Sequence, residues 1–114
     1  MYQYKIKKIT KIVDGDTVDL DIDLGFSLTI SHRVRLKGVN APESKTTDLK
    51  EKEKGLTAKA WLTEQLSKKG EWTITTHKED KYGRILGILH RTEDTFTINE
   101  KMLMEGIAIP YMQE

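Results

Sequence analysis

Arg33-Val34-Arg35-Leu36-Lys37-Gly38-Val39-Asn40-Ala41-Pro42-Glu43 is the stretch around which the rest of the chain is read. Val34 and Leu36 alternate with Arg33, Arg35 and Lys37, the period-two pattern of a half-buried strand. Gly38 interrupts that alternation, as a bulge or a close backbone approach would. Pro42 fixes its own φ and disfavours the helical region at Ala41, so the chain leaves the sheet extended. A cationic strand therefore ends in a rigid turn carrying one carboxylate, Glu43. Taken alone, the stretch is equally well a strand with a solvated polar face and a proline turn.

With 114 residues the chain has length for one domain, residues 1–114, and one modest core. Hydrophobic residues at 37% and charged residues at 32% suit a soluble globular domain. Cysteine is absent, which excludes a disulfide framework and a thiolate metal site. His32, His77 and His90 are scattered without zinc spacing, and solvated or satisfied imidazoles are expected. The N-terminal residues Met1-Tyr-Gln-Tyr-Lys-Ile-Lys-Lys contain no apolar run long enough for a signal peptide or a membrane span. A cytoplasmic protein is expected, or a secreted one if an export signal has been removed. A net charge of +1 argues against a general polyanion binder and leaves room for local patches.

Residues 4–13 read as a first strand. Asp14-Gly15 is a turn signal. A second strand follows, with Val18, Leu20, Ile22 and Leu24 on one face and Asp19, Asp21 and Asp23 on the other. Those aspartates do not make an EF-hand loop, because positions six and twelve counted from Asp19 are Leu24 and Ile30 instead of glycine and glutamate. The chain turns near Gly25 and returns through Leu28, Ile30, Val34 and Leu36. Residues 44–54, polar and charged, including Lys50-Glu-Lys-Glu-Lys54, read as a solvated loop or a frayed helix start. A helix is expected from Gly55 to Lys69 on the spacing of Ala58, Trp61, Leu62 and Leu66, with Trp61 in the core and Gly70 as its stop. Strands follow over residues 71–77 and 85–89, the second after a turn at Tyr82-Gly83. Thr97-Ile-Asn-Glu100 is a capping box opening a short helix through Met102 and Leu103, ended by Gly106. Five strands with a helix after the third, and two to three helices in all, describe a mainly β (α+β) OB-type barrel.

Three motifs occur in order along the chain: Val13-Asp14-Gly15-Asp16-Thr17-Val18, the arginine strand ending in Pro42-Glu43, and Asp80-Lys81-Tyr82-Gly83-Arg84. Together they resemble the staphylococcal nuclease (thermonuclease) family, whose fold is the same barrel. The resemblance extends from about Ile9 to Tyr111. By it, the hairpin after Val18 is longer than the family's usual one, and its tip is expected to protrude. Asp16 shares the parity of Val18 and Leu20, which points it coreward, where a carboxylate needs a cation or hydrogen-bond donors. It could instead cap the turn, although Asp14 is better placed for that.

The resemblance implies a calcium site made of Asp16, the side chain at position 40 and the carbonyl of Ala41. Here the family's second metal-binding aspartate is Asn40, which keeps a carbonyl oxygen and loses a charge. It further implies Glu43 as general base or water-orienting group. Arg35 and Arg84 would bind the phosphate and stabilise its developing charge, a task suited to a planar, bidentate cation. Lys81, Tyr82 and Tyr111 would contact the nucleotide. Alternation places Arg35 on the polar face of its strand, opposite to Asp16's parity, so a bulge near Gly38 or barrel coiling must bring the two together. The implied function is calcium-dependent hydrolysis of DNA or RNA with little sequence preference, by a monomer and without a membrane. The alternative is an OB-type module with weakened catalysis that binds nucleic acid or a protein.

Overall fold

Alternating apolar residues close a five-stranded barrel. The computed structural model describes residues 1–79 and 82–111. Its strands are β1 (Tyr2–Asp14), β2 (Thr17–Gly25), β3 (Leu28–Leu36), β5 (Trp72–Glu79) and β6 (Ile85–Arg91), closed in the order β1-β2-β3-β6-β5. Among the described residues only the β3–β6 contact is parallel, pairing Val34–Leu36 with Ile85–Gly87. Two short strands, β4 (Val39–Asn40) and β7 (Ile109–Pro110), pair antiparallel beside the barrel. Among the described residues there are two helices, α1 (Leu49–Leu66) and α2 (Ile98–Met104). The barrel is the mainly β OB-type fold that the strand pattern predicts.

Val18, Leu20 and Ile22 of β2, Val34 and Leu36 of β3, Ile74 of β5 and Leu89 of β6 fill the interior. Ala58, Leu62 and Leu66 of α1, with Ile98 and Met102 of α2, complete the same core. Burying each such aliphatic side chain is worth about 1.5–3 kcal/mol. Asn99 ties α2 to the barrel: its Nδ2 donates to the carbonyls of Lys37 and Gly87, and its Oδ1 accepts from Leu89 N–H.

The first strand is longer than its sequence pattern suggests because it does not alternate strictly. Register shifts fall between Ile6 and Lys8, Ile9 and Lys11, and Ile12 and Asp14. Each inserts an extra residue, so Lys5, Lys8 and Lys11 stand opposite Asp23, Asp21 and Asp19. The acidic face of β2 is thereby flanked by lysines on one side and, on the other, by Arg33, whose Nε and Nη2 donate to the two oxygens of Asp19. Exposed cross-strand pairs of this kind contribute roughly 0.2–1 kcal/mol each. Because β3 meets β6 only at its end, the β2–β3 hairpin projects beyond the barrel, as its length predicts. Its tip carries Phe26, almost wholly exposed, with Phe26 and Ser27 both at positive φ.

Several sequence expectations are corrected. The charged run 50–54 is not a loop: α1 begins at Leu49, because Asp48 accepts from the N–H groups of Lys50 and Glu51 as N-cap. The helix ends at Leu66, before Lys68 and Lys69, and Gly70 lies beyond its cap residue Ser67. Trp61 is only half-buried and donates to Glu105, whereas Trp72 is the buried tryptophan. The capping box is as predicted: Thr97 Oγ1 accepts from Glu100 N–H and the Glu100 carboxylate accepts from Thr97 N–H.

Gly55 is inside α1 for a steric reason. A Cβ there would lie 2.1 Å from the Glu43 carbonyl oxygen and 2.5 Å from the Ser44 nitrogen. Alanine would gain about 1 kcal/mol of helix propensity. Overpacking against backbone, which cannot rotate away, costs about 1–3 kcal/mol. Gly55→Ala should therefore lower the thermal midpoint; an unchanged or raised midpoint would contradict this packing.

Asp94 links the end of β6 to α2. Its carboxylate accepts from Arg91 Nε and Nη2 and from Lys101 Nζ. The Arg91 hydrogen bonds, reinforced by Lys101, hold the carboxyl well below the usual carboxylate range. A depressed folded-state pKa contributes stability that is complete above the unfolded value of about 4 and is lost as the pH falls further. The parent should thus unfold at higher denaturant than Asp94→Asn at pH 7. That gap should narrow steadily below about pH 4; a gap independent of pH would remove Asp94 from the acid response.

Candidate active site

Two backbone features create the site. The Gly15–Asp16 turn joins β1 to β2, and β3 runs back alongside with Arg35 opposite Thr17. Asp16 precedes the strand, so its side chain does not follow strand parity. This resolves the expected conflict with Arg35 without a bulge in the β2–β3 pairing there: the first paired residue, Thr17, is already Arg35's neighbour. Leu36 N–H donates to the Asp16 carbonyl at 2.8 Å and locks the turn onto β3. Gly38 serves a left-handed turn, at φ 80°, with open space where a side chain would stand.

Asp16 is buried and well supplied with donors. Its Oδ1 accepts from the Thr17 hydroxyl at 3.0 Å, and its Oδ2 accepts from Ala41 N–H at 3.0 Å. Arg35 Nη1 lies 3.1 Å from the same Oδ2, with side-chain exposures of 8% for Arg35 and 12% for Asp16. That approach is an ion pair without hydrogen-bond alignment, since Nη1 ends with no hydrogen-bond partner. The other guanidinium nitrogen, Nη2, donates to Asn40 Oδ1 at 3.3 Å. Turn capping falls to Asp14, as expected: its Oδ1 accepts from Gly15 N–H and Ser44 N–H.

Arg35 is therefore not on a solvated face. The outward row Thr17–Arg35–Leu86–His77 crosses β2, β3, β6 and β5, and its first three members are buried. Ala41, just after β4, reaches this point through the N–H that it donates to Asp16 Oδ2. From the C-terminal segment Tyr111 places its ring 5.4 Å from the Arg35 guanidinium carbon and donates its N–H to the Gly38 carbonyl. Arg84 immediately precedes β6, whose Leu86 pairs with Arg35, and its guanidinium carbon is 5.1 Å from the Tyr82 ring. Glu43 is exposed beyond Pro42, anchored through its backbone against Gly55 of α1. The structure thus brings together Asp16, Arg35, Asn40, Ala41 and Tyr111. It places Arg84 with Tyr82 in the turn before β6, and Glu43, exposed, beyond Pro42. Lys81 lies outside the described residues.

Sequence reading missed three participants. Thr17 supplies a hydroxyl to Asp16, and Ser44 is buried with its hydroxyl unpartnered. His77 is neither solvated nor satisfied: its Nε2 is buried without a partner, and burial together with the positive charge of Lys37 holds its pKa below the ordinary value. Only its register opposite Leu86 connects it with this face, and register is not visible in a single strand's sequence.

The donor set suits a hard cation in kind. Asp16 Oδ2 and Asn40 Oδ1 converge on one guanidinium, so one positive ion could lie within reach of both oxygens. Among the described residues, no three His, Cys, Asp or Glu side chains cluster as a metal site. The set therefore relies on one carboxylate and neutral oxygens.

Residues 33–114 match the staphylococcal nuclease homologue family. A protein of Shigella flexneri called micrococcal nuclease is 33% identical over 112 residues, covering 91% of this chain and 57% of that protein. An uncharacterized endonuclease of Escherichia coli is 29% identical, covering 93% and 61%. A Methanocaldococcus jannaschii protein described only as uncharacterized is 28% identical over 97% of this chain and 61% of its own length. The chain spans about three-fifths of these relatives. No helix among the described residues is long and apolar enough to cross a membrane. With the matched residues running from the arginine strand through Tyr111, the chain belongs to the staphylococcal nuclease homologue family.

Proposed function

We propose that this chain hydrolyses phosphodiester bonds in DNA or RNA with little sequence preference. The observation that carries the reading is the covered guanidinium of Arg35, set beside a buried carboxylate and the Tyr111 ring, with Arg84 just before the strand that pairs with β3. Paired guanidiniums suit a phosphoryl group because each offers planar, bidentate donation and keeps its charge at all relevant pH. Arg35 stands on β3, which limits the freedom it loses on engaging the phosphate. In this reading Arg35 and Arg84 hold the scissile phosphate and stabilise the charge that grows on its oxygens. Glu43, exposed at the rim, accepts the proton of the attacking water or orients it. Tyr111 and Tyr82 offer ring faces to the nucleotide, and Lys81 a further cation to its phosphate.

Asp16, Asn40 and the Ala41 carbonyl are the proposed holders of a calcium ion. Bound there, calcium supplies positive charge that polarises the phosphoryl oxygens. Asn40 offers a neutral oxygen where an aspartate would offer a charged one, so this site holds calcium weakly. That feature also favours the second reading, a binding module with weakened catalysis.

Incubating the protein with single-stranded DNA, with and without calcium, separates the two. Fragments that depend on calcium support the enzyme. Binding without cleavage across several divalent metals supports the module. Glu43→Gln should reduce cleavage by roughly a hundred- to ten-thousandfold while binding at fixed salt persists; cleavage at the parent rate would remove Glu43 as base. Asn40→Asp should lower the calcium concentration for half-maximal cleavage, and an unchanged concentration would take position 40 out of the coordination sphere.

A further inference from the structure

We infer that Arg35 is a displaceable plug of the cation position, and so a positioning residue that sets metal affinity in addition to contacting phosphate. The inference rests on the proposed reading of Asp16 and Asn40 as cation ligands. One guanidinium spans both oxygens, Nη1 at 3.1 Å from Asp16 Oδ2 and Nη2 at 3.3 Å from Asn40 Oδ1. A cation held by the same two oxygens is repelled by a positive group at that distance, so ion and guanidinium compete for them. Arg35 must withdraw before the ion settles, and the apparent affinity for the ion falls by the fraction of molecules in which Arg35 stays in place.

The contacts are built for release. Neither is a strong hydrogen bond: the first lacks alignment and the second is long. Asp16 does not depend on Arg35 for its orientation, because Thr17 hydroxyl and Ala41 N–H hold its two oxygens separately. The carboxylate therefore stays aimed when the guanidinium leaves. The phosphodiester anion of the substrate is an alternative partner for Arg35, charged where Asn40 is neutral. Phosphate drawing Arg35 away exposes both oxygens, so anion and cation favour each other's binding, and by linkage the effect is reciprocal. The same side chain thereby makes cation binding conditional on the substrate's charge.

Calcium titration by calorimetry, without nucleic acid and at fixed pH and salt, tests the plug on the parent, Arg35→Met and Arg35→Ala. Methionine keeps much of the buried stem and removes the charged fork. Both variants should bind calcium roughly three- to tenfold more tightly than the parent. A residue that merely props up Asp16 would give the opposite result, and equal or weaker binding in folded variants overturns the proposal. A crystal structure of the parent grown with calcium needs no variant to fold. It should show both nitrogens withdrawn from Asp16 and Asn40; calcium bound with both contacts intact also overturns it. If the parent and both variants fail to bind calcium, the plug falls together with the calcium reading. If calcium binds and the variants bind it more tightly but the parent cuts no nucleic acid, the plug stands and the nuclease reading fails.

Discussion

A carboxylate in a tight turn, turned away from water, is the constraint on which this arrangement depends. Taking the Asp16 charge out of solvent costs several kcal/mol unless donors replace the water. Three elements bring those donors: β2 through the Thr17 hydroxyl, the segment after β4 through Ala41 N–H, and β3 through Arg35. None of them reaches Asp16 unless the turn is small. Gly15 makes it so, since a Cβ there would meet the Ala58 Cβ at 2.8 Å and the Ala41 Cβ at 3.0 Å. Helix, turn and the strand-exit segment thus close on one another at a point where only glycine fits.

The helix is the other half of that closure. Its apolar residues Ala58, Leu62 and Leu66 bury against the barrel and fix its height and tilt. Gly55, a turn earlier, then lets the helix lie on the Glu43 backbone. Position 43 is consequently held through its main chain while its side chain remains free in solvent. For a group proposed to handle a water molecule, a fixed backbone and a solvated carboxylate are compatible demands: the first limits where the carboxylate can go, and the second leaves it open to water.

Much of the fold was legible because period two and the capping box are local signals. The β2 and β3 strands, the turn at Gly25 and the Thr97 capping box are where the residue pattern places them. The start of α1 was not, because Lys50-Glu-Lys-Glu-Lys54 is as consistent with a solvated loop as with a helix; only the Asp48 cap decides, and it was not read as one. The pairing of the β1 lysines with the β2 aspartates was hidden, because register shifts, not alternation, put them opposite one another. Asp16 and Arg35 were identified by their motifs, yet their contact was not derivable. It follows from the pairing of Thr17 with Arg35, a property of two strands together. The burial of Arg35 was equally hidden, since the ring that stands against it belongs to Tyr111, 76 positions further along the chain.

Asn40 changes the balance of charge at this point more than its shape suggests. With aspartate at position 40, Arg35 would face two carboxylates, and the trio would keep one negative charge to attract a cation. With asparagine, Asp16 and Arg35 neutralise each other, and the second guanidinium nitrogen meets only an amide oxygen at 3.3 Å. A neutral pair draws a cation less strongly, but it also holds its own arginine less firmly. On the proposed reading these two effects act on opposite partners of the reaction. The loss of the carboxylate weakens the cation's hold on the site and loosens the guanidinium that the phosphate must recruit. The substitution therefore shifts the division of labour from cation to arginine, and charge at the phosphate comes to depend more on Arg35 and Arg84 than it would with two aspartates beneath them.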